Sequence, residues 1–178
     1  MIKGDKKMEH SDFKWNQLGD VSKGRINLGE EMPVMVYRLF QYTMRDVLSR
    51  RYGKEEMIDL FRTAGEQAGH EFATNNLDLT LELNPFIAQL QSVLAQTKIG
   101  ILRIEKFDTE TGNAILTVSE DLDCSGLPVT GETVCNYDEG FIAGILAEYT
   151  KKDYIVTEID CWAMGDRVCR FDARVAAK

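Results

Sequence analysis

Histidine is nearly missing from this chain: His10 and His70 are the only two in 178 residues. A Ser–His–Asp set cannot be argued from so few, so triad hydrolysis is set aside. Basic charge is also short, with 21 Lys and Arg against 29 Asp and Glu, a net of −8. A phosphate backbone is held by a basic face, which argues against direct nucleic-acid binding. No apolar run approaches the roughly 20 residues of a membrane span. The first residues, MIKGDKKMEHSD, contain no apolar signal-peptide centre. No GxGxxG word follows a strand pattern and no phosphate-binding loop occurs, so a hydride-transfer cofactor has no visible seat. There is no internal repeat and no low-complexity tract. These absences together predict a soluble, cytoplasmic protein, not an enzyme, with no membrane span.

Hydrophobic residues make up 44% and charged residues 28% of the chain. That mixture suits a globular domain, which at this length buries roughly 70% of its unfolded surface. Residues 1–29 read as a mobile tail followed by an extended arm from Phe13 to Gly29, and residues 30–178 as one domain. After Pro33, Val36, Leu39, Phe40, Met44, Val47 and Leu48 recur at three-to-four spacing, a helix that Gly53 stops. A second helix from Lys54 to about Asn75 carries Met57, Leu60, Phe61, Ala64, Ala68 and Phe72. Its Gly65 and Gly69, four apart, allow close approach of another backbone. Asn84-Pro85 opens a third helix. From Gly100 the pattern changes: GILRIEKFD and AILTVSEDLDC read as strands around a Thr111-Gly112-Asn113 turn. A helix from about Glu132 to Thr150 follows, with Cys135 in its first turn. DYIVTEIDC and VCRFDARV then read as strands joined through Gly165-Asp166. A helical half followed by ββαββ predicts an α+β fold with a mostly antiparallel sheet.

All four cysteines, Cys124, Cys135, Cys161 and Cys169, fall in the last third. In a reducing compartment such clustering points to a metal or to reactivity more than to disulfides. The spacing Cys135-x22-Glu158-x2-Cys161-x7-Cys169 offers three thiolates and a carboxylate, a tetrahedral set suited to zinc. Positions 158 and 161 face opposite sides of an ideal strand, so a bulge near Asp160 is required for both to reach one ion. Cys135 at a helix start gains from the helix dipole. Four protein ligands leave no position for a water, which implies structure or signalling. Arg167 or Arg170 is placed to offset the excess negative charge. The open alternatives are a Cys161–Cys169 disulfide, plain core thiols, and Cys124 as a ligand in place of Glu158.

The stretch VCNYDEGFIAGILAEYTKKDYIVTEIDCWAMGDRVCRFDARV resembles the signature end of the 4-vinyl reductase domain. The matching words are Cys135, Gly140-Phe141, Gly144, Glu158-x-x-Cys161, Gly165-Asp166 and Cys169-x-Phe171. The resemblance extends over about residues 30–175. It implies an α/β fold around an apolar cavity, shared with bacteriochlorophyll-synthesis accessory proteins, with phenol- and xylene-responsive sensory domains, and with vesicle-tethering subunits. It also implies a zinc ion on Cys135, Glu158, Cys161 and Cys169. The histidine and tryptophan with which the sensors hold phenol have no counterpart in His10, His70, Trp15 or Trp162.

The expected function is a zinc-containing binding or sensory domain for a small hydrophobic or aromatic molecule, acting through a partner chain. Phe86, Leu102, Ile104, Leu116, Val118, Phe141 and Ile145 are the candidate ligand-binding residues. The alternatives are an enzyme or accessory protein for vinyl or tetrapyrrole reduction, and a metal-free dimerisation module. A homodimer is expected through the arm and the Pro33 helix, with exposed apolar residues as its mark. A haem reading would need an axial ligand such as His70.

Overall fold

A computed structural model describes residues 12–177; the expected tail at residues 1–11 lies outside the described residues. Five helices and four strands follow one another: α1 (Val21–Gly24), α2 (Val34–Tyr52), α3 (Lys54–Asn76), α4 (Leu83–Gln96), β1 (Ile101–Phe107), β2 (Ala114–Ser119), α5 (Asn136–Thr150), β3 (Tyr154–Asp160) and β4 (Cys169–Val175). The arm is not simply extended. Trp15–Leu18 forms a 3-10 turn, and Asp20 caps α1 by accepting from the Lys23 N–H.

The strands form one antiparallel sheet in the order β1-β2-β4-β3. The α+β expectation therefore holds. Alternation along β3 buries Tyr154, Val156 and Glu158 and exposes Ile155, Thr157 and Ile159. The β1–β2 turn is closed by Gly112 at φ +84°, while the Asp108 carboxylate accepts from the Glu110 and Thr111 N–H groups. The second strand ends earlier than its sequence pattern suggests. Glu120 takes a left-handed φ of 51°, and the Asp121 carboxylate then accepts from the Asp123 and Cys124 N–H groups. The segment Asp121–Cys124 is therefore a turn. The α5 helix starts at Asn136, so Cys135 is its cap residue rather than part of its first turn.

Helices α3 and α5 meet backbone to backbone. A Cβ at Gly65 would collide with the Tyr137 carbonyl, and one at Gly69 with that of Phe141. Reciprocally, a Cβ at Gly140 would strike the Arg62 carbonyl and one at Gly144 that of Glu66. Only glycine permits so close a crossing. Arg62 on α3 pairs with the buried Glu139 on α5 at 2.5 Å, fixing their register. The core continues from this pair through Phe72, Phe86, Leu90 and Leu94 to Leu116 and Phe171 on the sheet.

Helix α2 turns its polar face inward. Tyr37 and Gln41 donate to the Asp123 carboxylate, Arg38 to the Leu122 carbonyl, and Tyr42 to that of Asp123. Its apolar stripe faces outward, with Met35, Leu39 and Phe40 each more than 60% exposed.

Candidate metal centre and adjoining cavities

Four chain segments deliver the cysteines to one point. Cys124 ends the Asp121 turn, Cys135 caps α5, Cys161 follows β3, and Cys169 opens β4. All four are buried and free, and their sulfurs lie within 4.8 Å of one another. Zinc–sulfur bonds of about 2.3 Å in a tetrahedron place the sulfurs roughly 3.8 Å apart. Cys135 Sγ is 3.8 Å from Cys169 Sγ and 4.0 Å from Cys161 Sγ. Cys124 and Cys169 sit closer, at 3.0 Å. The closest sulfur pair is thus Cys124–Cys169, not the Cys161–Cys169 pair weighed as a disulfide. The donor set fits a soft, four-coordinate ion; thiolates select against magnesium and calcium.

The bulge that the sequence required is present. The β3–β4 register shifts between Glu158 and Asp160, which lets Glu158 and Cys161 both turn inward. Glu158 borders the sulfurs without joining their cluster. Its Oε2 accepts from the Cys135 N–H at 3.0 Å, and its Oε1 is buried without a hydrogen-bond partner. The Glu158 N–H in turn donates to Glu139, which Arg62 and Asn136 also reach. Burial, reinforced by the Cys161 thiol, pushes the Glu158 carboxyl up to about 8.

The sulfurs share protons. Hydrogen bonds from Cys124, Cys135 and Cys169 hold the Cys161 thiol far below its ordinary range. The same contacts with Cys124, Cys161 and Cys169, together with burial, push Cys135 up. Neither arginine expected to balance this charge does so. Arg170 is engaged outside by Glu105 and Asp160, and Arg167 is exposed. On the inner side Arg45 of α2 instead donates to Asn136, the residue after Cys135. Sequence spacing carried no signal for that contact, which spans 91 positions. Among the described residues a second cluster, Asp121, Cys135 and Asp138, has its ligand atoms equally close.

An apolar-walled cavity of about 50 Å³ lies between the sheet, α4 and α5. Phe86, Leu102, Ile104, Leu116, Val118, Phe141 and Ile145 all line it. A larger cavity, about 270 Å³, lies beneath the arm, walled by Trp15, Tyr37, Phe72, Tyr137 and Phe141 among others. The two share Ile99, Asp138 and Phe141. Asp123 lines the larger one with both carboxylate oxygens engaged by Tyr37 and Gln41. His70 lines neither cavity; its Nδ1 lies 3.0 Å from Glu148.

The comparisons agree with this geometry. An uncharacterized protein of Methanocaldococcus jannaschii, MJ0150, is 27% identical over 180 residues, 99% of this chain and 96% of its own. The phenol-responsive sensory domain of the transcription activator PoxR, solved with phenol, superposes with a TM-score of 0.63 at 13% identity, over 83% of this chain and 76% of that one. A vinyl-4-reductase family protein from M. jannaschii gives a TM-score of 0.61 at 16% identity, over 94% and 99%. Residues 114–175, which hold all four cysteines, Glu158 and the α5 glycines, match the model of the vinyl-4-reductase domain family. The chain therefore carries a vinyl-4-reductase domain, the family that its cysteine and glutamate words resemble.

Proposed function

We propose that the protein is a zinc-braced binding domain for a small hydrophobic or aromatic molecule, passing its signal to a partner chain. The gathering of four buried sulfurs beside two connected cavities is the observation that carries this reading. Zinc suits the donor set, with Cys124, Cys135, Cys161 and Cys169 as ligands. Glu158 then acts as the neighbour that holds the Cys135 backbone; in the alternative set it replaces Cys124 on the ion. A tetrahedral ion so held has no position for a water, which favours binding over hydrolysis. Bound there, zinc would tie the β3–β4 tip to the start of α5, and so fix one end of the cavity wall. The likeness to a domain that senses phenol supports a ligand of this general kind.

The outward stripe of α2 supports a homodimer. Val34, Met35, Leu39 and Phe40 leave a continuous apolar surface in water, of the kind that marks an interface. Reduced, buried thiols fit a cytoplasmic location.

The test combines elemental analysis with native mass spectrometry of the purified protein. One zinc per chain and a retained hydrophobic mass are expected. A metal-free chain that binds no apolar compound would overturn the proposal.

A further inference from the structure

Asp138 stands where the two cavities meet. Its carboxyl lines both, and its Oδ2 is buried with no hydrogen-bond partner. A buried acceptor left in that state is costly, and a donor brought by a ligand relieves it. The neighbouring polar groups do not supply one. Asp121, close by on the cysteine side, is itself an acceptor, and it already takes the Asp123 and Cys124 N–H groups. The two hydroxyl and amide donors nearest Asp123 are spent on that residue. From Asp138 the walls run outward in aromatic and aliphatic side chains, with Trp15 of the arm edge-on to Phe72 at 6.4 Å.

We propose that Asp138 is the polar anchor of the ligand site, selecting apolar molecules that carry one hydrogen-bond donor, a hydroxyl or an amine, and rejecting carboxylates. This rests on the binding reading above. The donor meets the Asp138 carboxyl at the junction, and the apolar body lies in the larger cavity under Trp15. A carboxylate head would bring a further negative charge among Asp121, Asp123 and Asp138, in a site of low dielectric.

The test uses the full zinc-loaded chain and four probes with one apolar body: 2-phenylethanol, 2-phenylethylamine, phenylacetate and ethylbenzene, titrated by calorimetry. The alcohol or the amine is expected to bind at least about tenfold more tightly than phenylacetate. Asp138→Leu should abolish that preference while ethylbenzene still binds. Asp138→Asn, of equal size, should weaken the amine and spare the alcohol, which tells the two donor types apart and also serves if the leucine variant fails to fold. If phenylacetate binds as tightly as the donors, or if the preference survives in Asp138→Leu, the anchor is wrong and the cavity reading stands. If no probe binds the wild-type chain, both fall.

Discussion

Replacing Gly140 with alanine adds one methyl group where α5 crosses α3. Its Cβ would overlap the Arg62 carbonyl and crowd the Glu66 N–H, both main-chain atoms of a helix that cannot turn aside. Alanine would gain about 1 kcal/mol of helix propensity over glycine. Overpacking of a tight interface costs about 1–3 kcal/mol, and the upper end applies because backbone rather than a flexible side chain must move. The expected net loss is about 2 kcal/mol. For a domain of this size that lowers the melting temperature by roughly 4–8 °C. Gly24→Ala is the control, since no atom lies within 4 Å of a Cβ there. It should melt within about 2 °C of wild type, as open surface changes do. Differential scanning calorimetry of both variants decides the matter. If Gly140→Ala melts like Gly24→Ala, the helices are not in backbone contact and the α3–α5 packing described here is incorrect.

Other perturbations reach the metal centre and the outer face. Cys124→Ser should lower zinc content and melting temperature together, whereas Glu158→Gln should retain the zinc; metal analysis showing the reverse would return Glu158 to the ion and dismiss Cys124. Zinc affinity should rise by ~10-fold or more per pH unit between pH 6 and 7.5, because thiols pushed up by burial must give up protons to bind it. A chelator-competition series that is flat with pH would contradict thiolate ligation. Phe40→Glu in the outward face of α2 should convert a dimer to a monomer in light-scattering chromatography without lowering the melt of the isolated chain, since Phe40 is 66% exposed. A wild-type chain that is already monomeric at high concentration would remove the dimer proposal.

Much of this was readable from residue patterns. Helix periodicity located α2, α3 and α4 to within a residue or two, because proline and glycine punctuate them. Gly65 and Gly69 foretold a close helix contact, and the need to turn Glu158 and Cys161 inward foretold the β3 bulge. Cys124 was harder. Its segment reads as a continuing strand, and only the left-handed Glu120 with the Asp121 carboxylate turns it back onto the sulfurs. The apolar stripe on α2 could not declare which way it faces, since periodicity describes one side of a helix and not what covers it. Its inner side is instead chosen by the polar atoms around Asp123, contacts more than 80 positions away in the chain. The larger cavity and the place of Asp138 depend on the arm docking beneath Trp15, and no local pattern records that.

X-ray absorption at the zinc edge, on protein purified with its native metal, examines the sulfur cluster directly. The expected first shell is four sulfurs at about 2.3 Å. A shell containing a light oxygen or nitrogen atom in place of one sulfur would put Glu158 or water where this account puts Cys124, and no bound zinc would contradict it outright.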